Sequence, residues 1–173
     1  YYESAKVDDF LGVQTYTRQR FGADGKATRR PPPDVELTMM GYEYRPEALA
    51  AACRDAWAAT GTPLIVTESG IATQDDARRC DFIRSALAGV QGAIADGVDI
   101  RGYVYWTLLD NYEWMSGYAP TFGLVGVDRA SMARAIKPSA AMLGAIARAN
   151  TVQSKDAFTT VAPSAGAAVG VAD

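Results

Sequence analysis

Apolar and polar positions fall into three similar blocks along the 173-residue chain. The run FLGV at Phe10 to Val13 predicts a buried strand, and after a long irregular stretch a helix is expected from about Pro46 to Thr60. Proline suits a first helical position, and Leu49, Cys53 and Trp57 recur at i, i+4 and i+8 on one face. PLIVTES follows Gly61 and predicts a second short, β-branched strand. The helix after it, from about Asp75 to Asp96, carries an apolar stripe of Ile83, Leu87, Val90 and Ile94, with Gly97 placed to close it. GYVYW, from Gly102 to Trp106, predicts a third strand. After a long loop, Pro138 opens a last helix with Met142, Leu143 and Ile146 on one face.

Nearly continuous apolar strands separated by amphipathic helices predict parallel β/α units with strands covered on both faces. Three units cannot close a (β/α)8 barrel, which typically needs about 250 residues. An incomplete barrel and a small open three-stranded α/β sheet both fit the pattern, and the second leaves two strand edges exposed. Each strand passes at its C-terminal end into polar or aromatic residues: Gln14 and Tyr16, then Glu68, then Trp106 and the segment to Trp114. Ligands bind at that end in parallel α/β folds, so the three passages converge on one mouth. RFGADGKATRRPPPDVE, with turn signals at DGK and a proline run at Pro31 to Pro33, is an inserted excursion and not a domain linker. Residues 1–150 are read as the β/α units. The Ala, Gly, Ser, Thr and Val of 151–173 are read as a disordered tail.

Composition narrows the chemistry. A content of 49% hydrophobic and 10% aromatic residues is ordinary for a domain with a real core. The net charge of -3 supplies no basic field for nucleic acid. No apolar run approaches the roughly 18 to 20 residues that cross a bilayer, so neither nucleic acid nor membrane is an expected partner. The chain starts at Tyr1 with no methionine or signal segment, as a processed protein or a piece of a longer one would. Cys53 and Cys80 are too few for a disulfide scaffold or a thiolate metal cluster, and both are expected as buried free thiols. The complete lack of histidine removes the Ser-His-Asp triad, the Cys-His pair and histidine-ligated metals together. Asp110, Glu113 and Asp128 match no calcium-loop spacing. Acid-base chemistry, where there is any, falls to carboxylates.

Glu68 directly follows LIVT, where the strand end aims a carboxylate into the mouth. An acid there can equally cap a helix or pair with an arginine. Tyr16, at the corresponding end of the first strand, is placed to donate a hydrogen bond to Glu68 and hold it in its charged form. Trp106 to Trp114 holds what a sugar site needs: an indole face for the apolar face of a pyranose, and a carboxylate, Glu113, that accepts from two hydroxyls. An aromatic core loop is the alternative. It would bury Asp110, Asn111 and Glu113 at a cost of about 1 to 3 kcal/mol each unless they are paired.

Four stretches resemble family 1 glycoside hydrolases. LIVTESG at Leu64 to Gly70 is similar to the strand-seven nucleophile motif, usually ITENG. GYVYWTLLDNYEWMSGYAPTFGLVGVD at Gly102 to Asp128 resembles strand eight and its sugar-binding loop. DFLGVQTYTR at Asp9 to Arg18 resembles strand six, and MGYEYRPEAL the start of the helix after it. The resemblance implies the C-terminal part, about strands six to eight with their helices, of a (β/α)8 barrel β-glucosidase or near relative. It implies Glu68 as nucleophile and Tyr16 as its orienting partner. It further implies Trp106 as stacking platform, Glu113 and Trp114 as hydroxyl contacts, Phe122 as pocket wall and Tyr42 on the leaving-group side. The implied substrate is a β-glycoside or oligosaccharide, hydrolysed with retention through a glycosyl-enzyme, and no cofactor is implied.

Ser69 stands where the family usually has asparagine, and Gln14 and Thr15 where it has Asn-Tyr. The family's acid/base glutamate and its neighbours come from earlier strands, and their motifs are not in this chain. The expected partner is therefore a missing N-terminal barrel segment, without which the chain is expected to be inactive. A non-catalytic carbohydrate-binding or interaction module derived from the barrel is the alternative, and the changes at Ser69 and Gln14 favour it.

Overall fold

A computed structural model describes residues 2–28 and 31–152. The predicted tail falls on 151–173, and of it 153–173 lie outside the described residues. After a single helical turn, α1 (Tyr2–Ala5), come strand β1 (Leu11–Gln14), helix α2 (Ala48–Thr60), strand β2 (Leu64–Glu68), helix α3 (Asp76–Ala95) and strand β3 (Ile100–Tyr103). A short hairpin of β4 (Val125–Val127) and β5 (Arg134–Ile136) precedes the last helix, α4 (Pro138–Ala149). The first three strands form one parallel sheet in the order β1-β2-β3, and the hairpin forms a separate antiparallel pair.

Alternation decides which face of the sheet is covered. Leu11, Val13, Leu64 and Val66 point to one side and pack with Leu49, Cys53 and Ala56 of α2 and Phe82, Ala86 and Val90 of α3. The opposite face carries Gly12 beside Thr67, and Gly102 beside Ile65. It has no helix layer of its own among the described residues. Coverage on both faces, expected from the apolar runs, is therefore corrected to coverage on one. Phe10 is corrected with it: two positions before Gly12, it shares the open face and is 50% exposed. A second cluster joins α3 to α4 through Ile83, Leu87, Met142 and Ile146, with Tyr105 and Leu124 between.

Three details of these elements differ from the sequence reading. Pro46 is not the first helical residue; Ala48 and Leu49 bond back to Arg45 and Pro46, three residues away, so the chain makes a tight turn before α2 begins. Gly61 ends that helix with φ +65°, donating to the Trp57 carbonyl. In α3 the stripe finishes on fully buried Ala93, not on Ile94, which is 48% exposed. The third strand lies two residues earlier at its start and three at its end than GYVYW, at Ile100–Tyr103, and its ladder with β2 slips between Leu64 and Ile65. Past Tyr103 only separate bonds remain, from Val104 to Val66 and from Trp106 to Ser69. Asp75 caps α3, accepting from the backbone N–H groups of Ala77 and Arg78.

This layering makes a contrast between two side chains of α3. Phe82 is 2% exposed and meets the Tyr44 ring edge-on at 5.7 Å. Phe82→Ala should lower stability by about 3 to 5 kcal/mol, whereas Ile94→Ala should stay within about 0.5 kcal/mol of the parent, as read by urea denaturation.

Candidate active site

The β1–β2 ladder is regular from Leu11↔Leu64 to Val13↔Val66 and then slips by one residue, so that Gln14 faces Glu68. The slip lines up two side chains that strict pairing would offset. Gln14 Nε2 donates to Glu68 Oε1 at 3.1 Å, and the Tyr16 phenol donates to Glu68 Oε2 at 2.6 Å. Each carboxylate oxygen thus has its own donor. Charge-assisted bonds of this length restrain the carboxylate's rotation as well as its position. Burial raises the pKa of Tyr16 far above the ordinary phenol value, and the hydrogen bond and charge of Glu68 add to it. The phenol therefore stays protonated, and remains a donor, at neutral pH.

Aromatic rings place Tyr16. Phe122, 3% exposed, meets it edge-on at 5.9 Å, and Tyr42 lies at 6.5 Å on another side. Across the mouth, Trp106 Nε1 donates to Glu113 Oε1 at 3.1 Å, and Glu113 is itself buried. The Glu113 charge is among those that raise Tyr16, which puts the two groups in one electrostatic neighbourhood. Trp106 is brought to this position by its backbone bond to Ser69 at 2.9 Å and by the absence of a side chain at Gly70. A Cβ on Gly70 would stand 2.0 Å from the Trp106 carbonyl oxygen. The peptide bond between Trp106 and Thr107 is cis.

The structure thus gathers Glu68, Tyr16, Trp106, Glu113, Phe122 and Tyr42 at the C-terminal end of the sheet. It does not bring Trp114 to them: that residue opens a turn at φ +48° and its side chain is 80% exposed. Gln14, noted in the sequence only as a departure, supplies a donor to Glu68. The acids around the loop have structural partners. Asp110 accepts from Lys137 Nζ at 2.9 Å and from the Gly123 backbone at 2.7 Å. Asp128 accepts from the Ala130 and Ser131 backbone at the hairpin turn. Among the described residues, no three such side chains converge in a way that could hold a metal ion. Cys53 is fully buried and its thiol is pushed up to about 11, whereas Cys80 is only partly buried.

A loop brace fixes Tyr42. Glu43, 6% exposed, accepts two bonds from Arg18 and two from Arg20, the shortest at 2.7 Å, and its backbone carbonyl accepts from Thr17. The bonds from Arg18 and Arg20 hold the Glu43 carboxyl down at about 2. A cleft of about 670 Å³ runs along the outer edge of β1 and α2 and touches the site through Gln14, Tyr16 and Tyr42.

The C-terminal end of this parallel sheet thus carries a restrained carboxylate, a protonated phenol and an indole–carboxylate pair. Residues 1–152 match the profile of Glycosyl hydrolase family 1, and the chain belongs to that family. A β-galactosidase of Sulfolobus acidocaldarius is 40% identical over 112 residues, covering 65% of this chain and 23% of its own. A β-galactosidase of Saccharolobus solfataricus is 34% identical over 154 residues, covering 80% and 31%. Among solved structures, β-glycosidase BGL167 superposes with a TM-score of 0.81 at 43% identity, covering 95% of this chain and 37% of its own. An apo β-glucosidase, 1317, gives 0.79 at 49% identity over 83% and 35%. The α/β barrel relationship follows from these structures. The chain spans about a quarter to a third of the length of those curated relatives.

Two consequences are measurable. Gly70→Ala should displace Trp106, lowering stability by about 1 to 3 kcal/mol and changing the near-ultraviolet circular dichroism of the tryptophans. The depressed Glu43 carboxyl contributes stability that is fully present above its ordinary value of 4.5 and is lost as pH falls from there toward about 2. Urea midpoints measured across that window should fall in the parent and fall less in Glu43→Gln.

Proposed function

We propose that this chain is the C-terminal three-eighths of a retaining β-glycosidase and carries its nucleophile and one wall of its sugar site. The observation that supports this most is the Glu68 carboxylate, held at both oxygens beside the Trp106–Glu113 pair. In this reading Glu68 attacks the anomeric carbon of a terminal β-linked sugar. The bond from that carbon to the leaving oxygen breaks as the new ester bond forms. A carboxylic acid of the remaining barrel protonates the leaving oxygen, and water then releases the sugar with retained configuration. Such mechanisms need two carboxyl groups about 5 Å apart. The second is assigned to the missing N-terminal segment, whose family motifs do not occur in this sequence.

Tyr16 orients Glu68, Trp106 supports the sugar ring, and Glu113 accepts from its outer hydroxyls while the Trp106 indole N–H fixes one of its oxygens. Phe122 forms the wall behind Tyr16, and Tyr42 faces the leaving-group side. Trp114 reaches a hydroxyl in this scheme only once its exposed loop is covered by the rest of the barrel. The reading is supported by the outer edge of β1, unpaired among the described residues, with a cleft of about 670 Å³ beside it and a neighbouring one of about 510 Å³ against Leu11 to Thr15.

A non-catalytic sugar-binding module remains the second reading, favoured by Ser69 and Gln14 standing where the family usually has asparagine. A 2-fluoro β-glycoside inactivator separates the two. The catalytic reading predicts covalent mass on Glu68 of the full-length protein; sugar binding without that adduct supports the module. Glu68→Gln should reduce turnover of an aryl β-glucoside by at least about 10³-fold. The 173-residue chain alone should show no turnover that depends on Glu68, and activity abolished there by Glu68→Gln would overturn the division of the site.

A further inference from the structure

Arg79 is an arginine with 1% of its side chain exposed, and the proposed chemistry does not use it. It sits in the first turn of α3, beyond the loop that follows Glu68. Its Nη1 donates to Asp76, while Nη2 donates to two backbone carbonyls, Thr73 and Thr121, the latter at 2.9 Å. Those carbonyls belong to different parts of the site. Thr73 lies five residues after Glu68, whereas Thr121 immediately precedes Phe122, whose ring sets the position of Tyr16. One guanidinium nitrogen therefore fastens the carboxylate's loop to the wall that positions its hydrogen-bond donor.

Nearby contacts act in the same sense. Thr73 and Thr121 also bond directly, by Thr73 N to Thr121 O at 3.1 Å and by Thr121 Oγ1 to Thr73 O at 2.9 Å. The Tyr105 phenol donates to Phe122 O at 3.2 Å, and Gly123 is held by Asp110 and Lys137. Asp76, which fixes the guanidinium, also caps α4: Ser139 donates to it from its backbone N–H and its hydroxyl, both at 2.8 Å. The Arg79 charge is thus partnered and its planar fork is oriented. Lysine keeps the charge but replaces the fork with a single nitrogen, so it cannot reproduce the bridge between Asp76 and both carbonyls.

We propose that Arg79 is a positioning residue that registers the Glu68 loop against the Phe122 segment and so holds Tyr16 in hydrogen-bonding geometry with Glu68. The inference rests on the reading of Glu68 as nucleophile. Misplacement of a catalytic group by about 1 Å costs on the order of 10²-fold in rate, so the effect is expected in kcat more than in KM.

The test uses the full-length enzyme that carries this chain, with Arg79→Met, Arg79→Lys, Tyr16→Phe and the Arg79→Lys/Tyr16→Phe double variant. Circular dichroism and thermal melting report folding. The folded Arg79 variants should lose about 10- to 100-fold in kcat, with KM within about threefold and Glu68 labelling by the 2-fluoro glycoside slowed in parallel. On the Tyr16→Phe background, Arg79→Lys should cost less than about threefold, because the two residues act on one contact. Where Arg79→Met does not fold, Arg79→Lys carries the test. A folded Arg79→Lys enzyme with parental kcat overturns the inference, as do losses that multiply fully in the double variant. An unlabelled Glu68 in the parent overturns the nucleophile reading and this inference with it. Labelling in the parent with an unaffected Arg79→Lys variant overturns the inference alone.

Discussion

The bond from the Tyr16 phenol to Glu68 depends on a one-residue slip in a short parallel ladder. Without the slip between Val13 and Gln14, the end of β1 would fall out of step with the end of β2. With it, the Gln14 amide and the Tyr16 phenol take one carboxylate oxygen each. Much of the surrounding structure serves to keep that arrangement from relaxing. Phe122 and Tyr42 limit the Tyr16 ring, Glu43 and its two arginines fix the loop of Tyr42, and Tyr105, Asp110 and Lys137 fix the segment of Phe122. A two-donor contact on a carboxylate is directional, so small shifts in any of these supports reach the Glu68 carboxylate.

Elements with a long, regular period were legible in the sequence, and contacts made by irregular backbone were not. The stripes of α3 and α4 stood out because Ile83, Leu87 and Val90, and Met142 with Ile146, repeat at helical spacing across several turns. Their ends were harder to place, since Ala93 buries as well as Ile94 would and composition does not choose between them. Strands of four or five residues give too little alternation to fix a register. For that reason GYVYW, whose aromatics have high strand propensity, drew the third strand two residues too far along. The three-residue strands VGV and RAI of the hairpin are too short to signal themselves at all.

The same distinction runs through the site. Glu68, Tyr16, Trp106 and Glu113 could be singled out because strand ends and aromatic–acid mixtures are visible in a linear sequence. The Gln14 contact was not visible, because it exists only through the ladder slip. Arg79 stands in DDARRCDFIR beside Arg78 and near Arg84, and although it continues the Ile83–Leu87 stripe at i−4, nothing in the sequence says what its charge pairs with. The structure separates them by partner. Arg78 pairs with Glu36 and lies 3.5 Å above the Tyr44 ring, while Arg79 turns inward to two carbonyls.

One-sided coverage of the sheet joins the chemistry to the architecture. The face toward α2 and α3 is apolar and buried, and burial of that surface favours folding. The opposite face pairs two glycines with Thr67 and Ile65, and Val104 on β3's continuation is 54% exposed. Gly12 and Gly102 leave room on that face, and Glu68, Trp106 and Glu113 lie at its C-terminal rim. If the rest of a barrel covers that face, it also excludes water from the rim and strengthens every charge interaction within it. In the reading of Glu68 as nucleophile, covering that face and completing the site are then one event: the surface without a packing layer borders the groups that this reading pairs with a second carboxyl group.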